Sequence, residues 1–172
     1  VHRATHFIDS VFSPTLDSMN YWFLKKSINL YGEAFLKSLW VKKLGFGTAE
    51  NNYEEAIETL KDFWAINGIE RNALHISDGS GLSPANRLTT HALVTVLQYA
   101  KKQNWFASFY LALPEMNGIK MKDGYIGGVR SYTGFIKSKS GTEYSFSFIV
   151  NNFDGSASAV RTKMWKVLDL LK

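Results

Sequence analysis

No cysteine occurs in these 172 residues, which excludes disulfides, thiol nucleophiles and cysteine-ligated zinc. Long apolar runs are missing as well: the longest candidate, Trp105–Leu113, falls far short of the ~20 residues of a membrane span, so no transmembrane segment is expected. The histidines His2, His6, His75 and His91 are too scattered for a His-x-x-x-His metal pair. Gly45-Phe46-Gly47 lacks the remainder of a phosphate loop, so neither metal nor cofactor is expected. No serine is followed three residues later by lysine.

What is present reads as one globular domain. The chain is long enough to bury roughly 70% of its unfolded surface, and 45% hydrophobic with 15% aromatic content supplies a core. A net charge of +5 and a pI near 9.3 favour anionic partners such as nucleic acid, wall polymers or lipid surfaces. The lysines are thinly spread, however, as in Lys25/Lys26, Lys42/Lys43 and Lys101/Lys102, and no basic patch interleaves with aromatics. Nucleic acid is therefore not an expected partner. The chain opens at Val1 with no basic-then-apolar leader, so loss of an upstream portion is expected.

In chain order, His6–Phe12 reads as a short strand. Ser13-Pro14 reads as the start of a helix running from Thr15 to about Lys25. The segment Leu24–Gly45 predicts a helix with Tyr31, Ala34, Phe35, Ser38 and Leu39 as its buried stripe and Gly45 as its stop. Asn51 or Asn52 should cap a helix burying Tyr53, Ala56, Ile57, Leu60 and Trp64, closed by Gly68. The run from His75 to Pro84 is dense in turn formers and must be a loop. Thr89 or Thr90 caps a helix facing Leu93, Val96, Leu97 and Ala100 inward, and Pro114 and Gly118 end the helical half. A meander follows over Ile119–Tyr125, Val129–Lys137 and Thr142–Val150, with a hairpin at Ser138–Gly141. Ser156 or Ser158 then caps a C-terminal helix whose stripe is Val160, Met164, Val167, Leu168 and Leu171, suited to cover one face of the sheet. The fold class is α/β of the α+β type, an antiparallel sheet flanked by helices.

Taken singly, the polar features have ordinary readings. Ser27, with Asn29 one residue beyond it, stands between two helices and can cap the second of them; both can instead aim into a cleft if the junction is a short turn. Lys122 is a strand lysine beside Gly124, and the Asp78–Ser83 loop carries Ser80 without the Gly-x-Ser-x-Gly of a nucleophile elbow. Together, three ordered stretches carry more: Lys26-Ser27-Ile28-Asn29-Leu30-Tyr31-Gly32-Glu33, Asp78-Gly79-Ser80-Gly81-Leu82-Ser83 and Lys122-Asp123-Gly124-Tyr125-Ile126-Gly127-Gly128-Val129. Over nearly its whole length the chain resembles the D-alanyl-D-alanine carboxypeptidase/endopeptidase family, the low-molecular-mass class C penicillin-binding proteins. That family has a Ser-x-Asn followed by Leu-Tyr-x-Glu, an Asp-Gly-Ser-Gly-Leu-Ser loop and a Lys-Thr-Gly strand.

The resemblance implies part of a β-lactamase/transpeptidase-like penicillin-recognising fold. It also implies a serine peptidase acting on peptidoglycan stem peptides, bound by β-lactams as the full-length enzyme and residing in the periplasm or cell envelope. It assigns Ser27 as proton relay, Asn29 as contact to the substrate amide, Lys122 as electrostatic partner of both Ser27 and a substrate carboxylate, and the Tyr125 N–H as one half of an oxyanion hole. Asp123, Gly124 and Ser80 complete the expected substrate-binding set. This sequence departs from the pattern twice. The Ser-x-x-Lys that supplies the nucleophile and its base is absent, so residues 1–172 are expected to be the C-terminal part of a longer domain, inactive alone. Asp123 replaces the threonine, putting a negative charge where a carboxylate would bind; at ~4 Å two such charges repel by about 1–4 kcal/mol, unless Asp123 points away, is paired with Lys122 or Arg130, or marks an altered specificity. The alternative expectation is a catalytically silent module of the same fold that grips peptide or wall polymer through the Lys122 strand.

Overall fold

The computed structural model describes residues 9–44 and 53–172. Helices α1 (Leu16–Lys26), α2 (Asn29–Leu44) and α3 (Tyr53–Ile66) come first. A 3₁₀ turn (Arg71–Ala73) and the two-stranded ribbon β1 (Leu74–His75) and β2 (Arg87–Leu88) follow. Helices α4 (Thr90–Lys101) and α5 (Phe106–Ala112) lead into a four-stranded antiparallel sheet in the order β3 (Glu115–Met116), β4 (Ile119–Ile126), β5 (Val129–Lys137), β6 (Glu143–Val150), and α6 (Ala157–Asp169) closes the chain.

Thr15, rather than Ser13, caps α1, its hydroxyl accepting from the Ser18 N–H at 3.3 Å. Thr89 and Ser156 cap α4 and α6 in the same way, as the sequence predicts. The helix expected from Leu24 instead starts at Asn29, because Ser27 takes a left-handed conformation (φ 53°, ψ 47°) that ends α1. The anticipated strand at His6–Phe12 lies partly outside the described residues, and residues 9–12 form no strand. The Gly45 stop and the Asn51/Asn52 cap also lie outside them.

In the core, Ile119, Met121, Tyr132 and Ile136 on one face of the sheet pack against Val160, Met164 and Leu168 of α6. Val167 and Leu171, expected in that stripe, are largely exposed, because the contact with the sheet takes only the i, i+4, i+8 row of the helix. On the other face Phe135 meets Leu97 of α4 and Leu113. A third cluster joins Leu36 of α2 to Ala56 and Ile57 of α3. Leu36 takes the central place that the sequence pattern gave to Phe35 and Ser38; Ser38 is exposed, its hydroxyl donating back to Ala34 O. The C-terminus is tied to the β3–β4 turn: Lys172 Nζ donates to Asn117 O at 2.6 Å, and Asn117 Nδ2 to Asp169 Oδ1 at 2.9 Å.

Candidate active site

Between α1 and α2 the chain turns sharply, so Ser27 and Asn29 do not lie along a continuous helix. Both are exposed, and neither side chain hydrogen-bonds to another described residue. The anticipated capping of Leu30 by Ser27 does not occur; Ser27 is the left-handed C-cap of α1, and the Tyr31 N–H donates to Ile28 O instead.

The Asp78–Ser83 loop is seated against α2 almost backbone to backbone. A β-carbon on Gly79 would overlap Gly32 O, and one on Gly32 would fall 2.9 Å from the Gly79 carbonyl carbon and 3.1 Å from the Phe23 ring. The Ser80 N–H donates to Glu33 Oε1 at 2.9 Å, and the Gly79 N–H to the Tyr53 hydroxyl at 3.3 Å. Within the loop, the Asp78 carboxylate accepts from the Gly81 and Ser83 N–H groups, each at 2.6 Å, and from Asn86 Nδ2 at 2.9 Å. Asn86 in turn accepts from the Ser77 N–H at 2.7 Å. Glu33 lies inside the motif that carried the resemblance; Tyr53 and Asn86 have no local sequence signal for this role, since they meet the loop only through the tertiary fold.

Burial raises the pKa of Asp78, but hydrogen bonds from Asn86, Ser83, Gly81 and the Ser80 hydroxyl outweigh it and leave the group below its ordinary 3.8. A depressed carboxylate stabilises the fold above its unfolded pKa and loses that contribution as pH falls through the folded value. Acid titration followed by amide exchange is therefore expected to release Gly81 and Ser83 only below about pH 3.8. Asp78→Ala should cost about 1–3 kcal/mol in urea unfolding; wild-type stability in that variant would show that the loop does not depend on the carboxylate.

Strand β4 forms the other wall. Its register pairs Lys122 with Thr133, Asp123 with Tyr132, Gly124 with Ser131 and Tyr125 with Arg130, so Lys122 and Asp123 project from opposite faces. Pairing with β3 ends at Lys120, which leaves the outer edge of β4 open from Lys122 onward. The Met121 N–H donates outward to Pro114 O at 3.0 Å, so by strand alternation the N–H and C=O groups of Asp123 and Tyr125 also point to that edge. The Lys122 amine donates to Asp123 O at 2.9 Å and to Asp123 Oδ1 at 3.2 Å. Arg130 stands 3.8 Å from the other oxygen of Asp123; its Nε donates to the Tyr132 hydroxyl at 3.0 Å and its guanidinium lies over the rings of Tyr125 and Tyr132.

The two walls converge at Leu113, whose carbonyl accepts from Lys25 Nζ at 2.7 Å and from Lys120 Nζ at 3.4 Å. These lysines precede Ser27 and Lys122 by two residues each. Farther along, a cleft of about 670 Å³ separates Gly81, Pro84 and Arg87 from Ile126, Gly127 and Val129, with Ser131 and Ile149 also lining it. Among the described residues no hydrogen bond or ion pair joins Ser27, Asn29 or Ser80 to Lys122, Asp123, Gly124 or Tyr125, and none of these seven residues lines the cleft itself.

This arrangement of helices on an antiparallel sheet is that of the penicillin-binding proteins. Penicillin binding protein 4 of Haemophilus influenzae, solved with a β-lactam, superimposes with a TM-score of 0.75 at 19% identity, covering 90% of this chain and 41% of that one. The chain belongs to the D-Ala-D-Ala carboxypeptidase 3 (S13) family, whose model matches residues 3–118. That match takes in Ser27, Asn29 and Ser80 and ends before Lys122. A D-alanyl-D-alanine carboxypeptidase of Actinomadura sp. (strain R39) is 27% identical over 156 residues, covering 78% of this chain and 28% of that protein. A penicillin-sensitive carboxypeptidase A of Dictyostelium discoideum is 28% identical over 167 residues, covering 83% and 31%. The chain thus spans less than a third of the length of these relatives.

Proposed function

We propose that this chain forms part of a serine-type D-Ala-D-Ala carboxypeptidase/endopeptidase acting on peptidoglycan stem peptides in the periplasm or cell envelope. On this reading it is the C-terminal part of a penicillin-recognising domain, with β-lactams as ligands of the intact enzyme. The observation that carries the reading is the Ser27-Ile28-Asn29 turn, whose Ser27 and Asn29 side chains are exposed and have no hydrogen-bond partner among the described residues, beside a loop welded to α2 and within the span that matches the family.

Each residue's part is the one that the family resemblance implies, and its position supports it. The left-handed turn presents the Ser27 hydroxyl and the Asn29 amide to solvent, available to pass a proton to a leaving amine and to hold a peptide carbonyl. The open edge of β4 offers the N–H and C=O groups of Asp123 and Tyr125 to an extended peptide, which can add as a further strand. The Tyr125 N–H is the donor suited to a developing oxyanion, and Lys122 supplies a positive charge near the carboxyl end of the peptide. The loop of Ser80 closes the cleft at the far end of the strand. The nucleophile and its base would come from a Ser-x-x-Lys outside these residues.

A fluorescent penicillin is expected to leave no covalent label on the 172-residue chain, while the intact protein is labelled at the serine of such a motif. Label on a serine of this chain would contradict the assignment of the nucleophile. An unlabelled intact protein would favour the rival reading, a silent peptide- or wall-binding module, for which Asp123 in place of threonine speaks.

A further inference from the structure

Beyond the open edge of β4 itself, the structure shows what stands on it. The Asp123 carbonyl points outward, where an added strand's N–H would donate, and that position is already taken by the Lys122 amine at 2.9 Å. Lys122 projects from the face opposite Asp123, so its amine has to wrap around the strand edge to reach both the carbonyl and, at 3.2 Å, the carboxylate of its neighbour. The carboxylate is steadied in turn by Arg130, whose side chain is only 12% exposed and is fixed by the Tyr132 hydroxyl and the rings of Tyr125 and Tyr132. A threonine at position 123 would carry no charge to hold an ammonium there.

We propose that Lys122 caps the ligand-pairing edge of β4 from within, and that Asp123 is the positioning residue that parks its amine there. An incoming peptide must displace that amine before it can pair with Asp123 O, so Asp123 weakens edge pairing. The competition part rests on the reading of β4 as a peptide-binding edge; the parked amine does not.

The test has two readouts on the chain and its Asp123→Thr and Asp123→Asn variants, with matched circular dichroism as the folding control. In the first, limited acetylation is followed by mass spectrometry, with Lys139, exposed on the β5–β6 hairpin, as internal reference. Loss of a partly exposed ion pair should raise Lys122 modification relative to Lys139 by about 2–5-fold in both variants. In the second, binding of an N-acetylated peptide ending in D-Ala-D-Ala amide is measured by titration calorimetry. The amide removes the ligand carboxylate, so a gain cannot come from relieved charge repulsion. Affinity should rise by about the same 2–5-fold in both variants. An unchanged acetylation ratio overturns the parked amine. A raised ratio with equal affinity for the amide peptide overturns the competition. If no form binds the peptide, the edge reading of the function fails, while a raised ratio still supports the cap.

Discussion

Gly79→Ala is expected to destabilise the protein by at least about 3 kcal/mol, because the new methyl overlaps the Gly32 carbonyl and backbone on both sides must move. Side chains can rotate away from an extra carbon; two carbonyls locked in a helix and a hydrogen-bonded loop cannot. The Ser80–Glu33 and Gly79–Tyr53 hydrogen bonds should fail with it, since both depend on the same close approach. Guanidinium unfolding would measure the loss, and Gly81→Ala is the internal control. Gly81 has φ +77° and open space around its α-carbon, so its substitution strains only its own backbone, at about 1 kcal/mol. Equal costs at the two positions would mean that the weld between loop and α2 does not limit stability.

Gly134→Ala should be comparably severe, at about 3 kcal/mol or more, for a different reason. Gly134 pairs with Met121 across β4 and β5, and a β-carbon there would overlap Lys120 O and lie 2.6 Å from Met121 Cα. Relief requires pushing β4 away from β5 immediately before Lys122, so the variant should shift the amide resonances of Lys122–Tyr125 as well as lower the unfolding midpoint. Gly124→Ala gives the contrast: its methyl would meet only the Ser131 hydroxyl, at 2.7 Å, which can rotate aside. Undisturbed β4 amides in a folded Gly134→Ala protein would refute the account.

Much of this was legible in the sequence where a local rule decides the structure. Ser156 and Thr89 cap because their hydroxyls reach the N–H three residues on, and Gly141 turns at φ 87° because nothing bulkier does so readily. The motifs that named the family are contiguous strings, so no tertiary knowledge was needed to see them. What was missed depends on distance or on exceptional backbone. The two residues of β3 are too few to show periodicity; they pair because Asn117 and Gly118 both take positive φ (52° and 67°), as a tight hairpin turn requires. Ser27 in a left-handed conformation is uncommon for a residue with a β-carbon, so the pattern marked a junction between α1 and α2 but not the backbone that makes it or the start of α2 at Asn29. In α2 apolar residues lie around much of the helix, and only the position of α3 selects Leu36. Gly32 and Gly79 are far apart in sequence, and nothing at either marks the other.

The meander has a further consequence, for the order of events in folding. Neighbours in the sheet are neighbours along the chain, joined by the short turns Asn117-Gly118 and Gly127-Gly128 and the loop at Ser138–Gly141. Closing such loops costs little chain entropy, and hairpins of this kind zip in about 1–10 μs. The edge that carries Lys122 is therefore set by local contacts, whereas the Ser27 wall must wait for the slower search that brings loop and helix together.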